Sequence, residues 1–203
     1  MLGFASEEAK HIHLFKRFHA AFVRGFPVEC GMIGPAEALA AEILRHDPLS
    51  VALAVLHIEW MTQAHYLESV RDDAELDPFF KSLLRHHWME EAQHAKLDTL
   101  MVEALAEGRD AAGIEAAIDE YLEIGMFLDG GCKAQAELNL AAFEAVTGRS
   151  IGADREGILT VPHPALRWPY LGSGMTPPQV RATLGAISPA ARDRIDAVAP
   201  AFC

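Results

Sequence analysis

Aromatic residues are scarce, at 8% of a 203-residue chain. Strands favour aromatic and β-branched side chains in a two-residue alternation, and no stretch here alternates convincingly. Cysteine is scarcer still. Cys30, Cys132 and Cys203 are odd in number and scattered, which excludes a disulfide framework and a cysteine zinc site and fits a reducing, cytoplasmic setting. Bases are outnumbered by 29 acids to 17, for a net charge of −12. Phosphate binding needs a basic surface, so nucleic acid is excluded as a partner. No apolar run approaches the roughly 20 residues of a membrane span. The N-terminal residues MLGFASEEAKH lack the charged-then-apolar order of a signal peptide. There is no fixed-period repeat and no low-complexity tract.

What is present is apolar and helix-forming. Hydrophobic residues make up 51% of the chain, with alanine and leucine abundant, and the length suits one domain with a sizeable core. The pattern predicts an all-α protein, residues 1–203 forming a single antiparallel helix bundle. Ser6 is read as the N-cap of a helix to Arg24, with His11, Leu14, Phe15, Phe18 and Phe22 as its apolar stripe. A shorter helix spans Ala36 to Arg45. Ser50 is read as the cap of a helix to Arg71. Asp77-Pro78 opens the next, to Glu107, with proline at the favoured first position. Another begins near Asp110 and is expected to break at Gly130-Gly131 before resuming from Lys133 to Val146. Residues 149–175 read as irregular, and two short helices close the chain over 176–203.

One stretch carries chemistry: His87-x3-Glu91-x2-His94, inside HHWMEEAQHAKLD. Positions i, i+4 and i+7 share a helix face, so two imidazoles and a carboxylate project together. Nitrogen and carboxylate oxygen suit a first-row transition metal. Asp98, four residues beyond His94, is placed to accept the proton on the far nitrogen of that ring. A second pair, Glu8-x2-His11, lies on the first helix. With 18 Glu and 10 His in the chain, about one such pair is expected by chance, so the second pair matters. Glu59 falls on a mostly apolar face, where a carboxylate is costly unless paired, hydrogen-bonded or bound to metal; Gln63 or an arginine is the alternative partner. Tyr66 lies two turns beyond Glu59, as a core residue or a partner of the site. Counting 1.5 Å per residue from the connecting loops sets Glu59, Glu91 and Glu123 at similar depths. His13, His57 and His86 read as surface or boundary residues, and Glu90, 100° from Glu91, as solvent-facing.

The order Glu8-x2-His11, Glu59, His87-x3-Glu91-x2-His94 resembles the ferritin-like di-iron carboxylate proteins. Within them it is most similar to the p-aminobenzoate N-oxygenase family, marked by an extra histidine one turn before the last Glu-x2-His, where His87 stands. The resemblance covers about the first 100 residues. It implies a ferritin-like bundle with two iron ions, or manganese in their place, and Glu8, His11, Glu59, His87, Glu91 and His94 as ligands. The family places a further glutamate on a helix before the first Glu-x2-His. Only seven residues precede Glu8, so the site is incomplete, the chain is a truncated form, or Glu123 fills that place, the last being the expectation.

These residues suggest an oxygen-activating oxidase or oxygenase. Its partners would be dioxygen, a small organic substrate and an external electron donor, since no reductase or flavin motif is visible. Val55, Leu56, Leu84 and Trp88 would supply a water-excluding lining. A metal- or peroxide-handling bundle without organic substrate, and a non-catalytic helical protein with a vestigial site, are the alternatives. The 149–175 stretch reads as a cover for the site or as a subunit contact in a homodimer.

Overall fold

Aspartate followed by proline starts two of the long helices. Asp47 accepts a hydrogen bond from the Leu49 N–H at 2.8 Å, and Asp77 accepts from Phe79 and Phe80 at 3.0 and 2.8 Å. Each carboxylate satisfies backbone donors that a helix start leaves unpaired, and the proline behind it has no donor to lose. Asp110 caps another helix through the Gly113 N–H, and Ser188, followed by Pro189, caps a fourth. Gly148, in the left-handed conformation at φ 65°, ends the longest helix.

The computed structural model describes residues 2–152 and 155–202; Met1, Ala153, Asp154 and the expected free thiol of Cys203 lie outside them. The regular structure of the described residues is all helical, with no strand among them. In chain order they form α1 (Leu2–Gly25), α2 (Ala36–Leu44), α3 (Pro48–His65), α4 (Pro78–Ala106), α5 (Ala111–Thr147), α6 (Arg155–Leu159), α7 (Pro162–Arg167), α8 (Ser173–Met175), α9 (Pro178–Ile187) and α10 (Pro189–Val198). Two π-helical turns are inserted: Tyr66–Val70 extends α3, and Trp168–Gly172 joins α7 to α8. A 3₁₀ turn, Ala199–Phe202, follows α10. No helix among the described residues is long and apolar enough to cross a membrane.

The all-α expectation holds, and several local readings are corrected. Ser6 lies inside α1, which begins at Leu2. Ser50 is not a cap: it is fully buried in α3, and its hydroxyl donates to the Ala117 carbonyl of α5 at 2.9 Å. Gly130-Gly131 does not break α5. A side chain at Gly131 would meet Ile33 Cδ1 at 3.2 Å, so this glycine admits the loop before α2 instead of kinking the helix. Gln135 fastens that loop, accepting from the Ile33 N–H and donating to the Gly31 carbonyl. The 149–175 stretch is largely helical because its prolines sit near helix starts, where no donor is lost.

α3 is the central helix. It packs most extensively on α4, then on α8 and α5. Leu49, Leu53 and Leu56 of α3 meet Val102 of α4, Ile118 and Ile124 of α5, and Leu184 and Ile195 of α9 and α10 in one core. α1 is different. It lies along α4, and His11 is its only buried residue among those described. Phe15 and Phe18 of its apolar stripe are half-buried, and Phe22 is half exposed.

Candidate metal centre

α1 meets α4 where both carry a Glu-x2-His pair. In each, the carboxylate and the imidazole stand one turn apart on the same side, and the two sides face each other. One ligand atom from each of Glu8, His11, Glu91 and His94 lies within 4.8 Å of the other three. Donors about 2.0–2.2 Å from a shared ion lie at most about 4.4 Å apart. The four therefore need only small adjustments to surround one.

Glu91 is the hub. Its Oε1 lies 2.6 Å from His87 Nε2 and 3.0 Å from His11 Nδ1, and its Oε2 lies 2.5 Å from His94 Nδ1. His94 Nδ1 also faces Glu8 Oε1 at 2.7 Å, and its Nε2 faces Glu7 Oε2 at 2.8 Å. His11 Nε2 is 2.6 Å from Glu90 Oε2, and Glu90 also accepts from Lys10. The His11 and His87 rings stand edge to face, 4.6 Å apart.

Burial sets the protonation states. Glu59 is buried on α3 and shares a hydrogen bond with Glu91. Burial and the negative charge of Glu91 push its carboxyl far above the usual range. Burial also acts on Glu91, but the hydrogen bond and charge of His87 outweigh it and leave that carboxyl below its ordinary value. Burial opposes a charge on His94, and the bond to Glu7 with the charge of Glu91 raises it nonetheless. Asp98 is pushed up to about 6, by burial first, with His94 acting against it.

The polar atoms that remain fit a missing cation. Glu8 Oε1, His11 Nδ1, Glu59 Oε2 and both Asp98 oxygens are buried without a hydrogen bond. Glu8 Oε1 and His11 Nδ1 have close neighbours but are out of line for a bond with them, as are donors aimed at a common point. A buried polar atom without a partner costs about 1–3 kcal/mol. Several in one place, all of metal-ligating types, suit a bound ion as the missing partner.

Six residues singled out in the sequence thus come together: Glu8, His11, Glu59, His87, Glu91 and His94. Glu123 does not join them. Its carboxylate is mostly exposed, and His46 Nε2 lies 3.8 Å from it. Matched depth along an axis does not fix rotation about it, and the buried side of α5 carries Ala117, Tyr121 and Ile124 instead. Asp98 is fully buried as its position requires, but it makes no bond to His94, whose far nitrogen is taken by Glu7. Glu90 is engaged with α1 instead of facing water. Glu7 was missed, because it stands 100° from Glu8 and belongs to no pair. Tyr66 is buried and stacks on Trp88, with ring centroids 4.9 Å apart. His57 is no surface residue: it is buried, with Nδ1 2.8 Å from the Tyr121 hydroxyl and Nε2 3.0 Å from the Tyr170 carbonyl. His13 and His86 are exposed, as read.

Beside His87 lies a cavity of about 420 Å³, walled by Phe15 of α1, Phe80 and Leu84 of α4, Tyr66 of the first π turn, and Pro169 and Tyr170 of the second. It falls in the size range of small-molecule sites. Comparison of the chain with protein-family models, with curated proteins and with solved structures found no match.

Proposed function

We propose that the chain is a ferritin-like dimetal protein, holding two iron ions or manganese in their place, and that it acts as an oxygen-activating oxidase or oxygenase on a small organic molecule. The observation that carries this reading is the convergence of Glu8, His11, Glu91 and His94 on one point between α1 and α4. Glu59, His87 and Asp98 stand around the same point. Together the seven offer more donors than the six positions of one octahedral ion, which favours two. In place of Glu123, Asp98 and Glu7 are the further carboxylates within the cluster.

Bound iron would supply electrons to dioxygen, replenished by an external donor. The chain's own residues would do the rest. Glu91, hydrogen-bonded or close to three histidines, would be among the residues holding the metal. Glu59 would give up its proton as a cation arrived. Lys10 and Glu90 would hold the His11 ring in place from its far nitrogen. Trp88, Leu84 and Phe15 would keep water from the side of His87. The cavity against His87 favours an organic substrate over metal or peroxide handling alone.

Anaerobic loading with ferrous iron, followed by metal analysis, tests the reading. About two irons per chain are expected, with an oxo-bridged di-iron optical spectrum after exposure to air. Glu91→Ala should abolish uptake. Fewer than one iron per chain in the unaltered protein, with an unchanged melting temperature, would refute it.

A further inference from the structure

The cavity beside His87 shares two of its walls with a neighbouring space. Phe15 and Phe80 also border a second space, an open groove of about 680 Å³ along α1, floored by Phe18, Ala21, Phe22 and Met32. Phe15 and Phe80 therefore stand between the two spaces. Each space is mainly apolar, with a few polar side chains in its lining. At the inner end, Tyr66, His65 and His87 line the cavity, and neither the Tyr66 hydroxyl nor the His65 ring has a hydrogen-bond partner among the described residues. At the outer end, Lys16, His19 and Asp77 reach the rim of the groove.

The inner cavity is also where both π-helical turns are spent. The Arg71 N–H bonds to the Tyr66 carbonyl at 2.8 Å, closing the first turn, and this turn supplies Tyr66. The second supplies Pro169 and Tyr170. These are the only π turns among the described residues. A π turn costs regular hydrogen bonding and recurs at functional sites, so two on one cavity mark it as built for a ligand.

We propose that the two spaces together bind an elongated, mainly aliphatic molecule with one polar end. The polar end lies beside His87, Tyr66 and His65, and the chain passes between Phe15 and Phe80 into the groove along α1. This rests on the reading of the neighbouring cluster as the reactive centre, and it adds the shape and chemical class of the substrate.

Unbranched 1-alkanols from hexanol to dodecanol are suitable probes, titrated into iron-loaded protein by calorimetry. Each methylene that enters apolar surroundings should tighten binding about three- to fourfold, and the series should continue past the length the inner cavity alone can hold. Leu84→Trp, which fills the inner cavity, should abolish binding of the whole series. Ala21→Trp, at an exposed position in the groove, should leave hexanol unaffected and remove the gain for the longest members. Both variants should retain iron and their melting temperature. Affinity that does not rise with chain length, or a full series retained in Leu84→Trp, would overturn the proposal while leaving the metal centre intact. Chain-length-dependent binding by a protein that takes up no iron would instead overturn the function proposed above.

Discussion

Glu90 and Asp98 show how a carboxylate's surroundings decide its role. Glu90 joins Lys10 and the far nitrogen of His11. Partners of this kind orient a ligand, and losing one typically costs 10–100-fold in metal affinity. Glu90→Ala should therefore weaken iron binding by about that factor, whereas Glu91→Ala removes it; competition with a chelator measures both. Asp98 is fully buried with both oxygens unpartnered. Asp98→Asn removes a buried acid with no bond to lose, so it should raise the melting temperature of the metal-free protein and lower the gain in melting temperature that iron brings. His57 offers a test away from the cluster. Burial lowers it from 6.5 to about 4, with its bond to the Tyr170 carbonyl acting the other way. Between those values the unfolded chain binds a proton that the folded chain refuses. The stability this group contributes is complete above pH 6.5 and is lost as pH falls through about 4, a drop of about 3 kcal/mol. Urea unfolding of the unaltered protein and of His57→Gln, at about pH 7 and about pH 4, should show the unaltered protein losing more by roughly this amount.

At the level of elements, the α3–α8 contact rests on one glycine. A side chain at Gly174 would meet His57 Cδ2 at 2.4 Å and the His57 carbonyl oxygen at 2.6 Å. The second atom is backbone and cannot swing away, so Gly174→Ala should cost about 3 kcal/mol in urea unfolding. The same level explains what was legible in the sequence. His87, Glu91 and His94 could be read because one helix fixes their angular spacing, and Glu8 and His11 for the same reason. Glu59 stood out as a charge on an apolar face. Glu123 misled because depth was available from loop positions and rotation was not. Glu7 and Glu90 each lie 100° from a ligand that was recognised. Their roles depend on how α1 is laid across α4, which neither helix encodes alone. The π turns left no trace, since their residues differ from those of an ordinary helix only in the packing that selects them.

For the whole molecule, α1 stands apart from the core. The centre is built from α3 with α4, α5 and the C-terminal helices, and α1 is held at His11, its one buried residue among those described, with the acids around it. A metal bridging Glu8 and His11 to Glu91 and His94 would tie α1 to the rest. Iron loading should then slow hydrogen exchange across residues 2–25 far more than in the core, which opens only with global unfolding. Equal protection in the loaded and metal-free protein would show that α1 is fastened by other means. The most direct test of the central claim is an anomalous difference map of iron-loaded crystals at the iron absorption edge. Two peaks are expected, enclosed by Glu8, His11, Glu59, His87, Glu91 and His94. Iron found only elsewhere on the surface, or none at this point after loading, would contradict it.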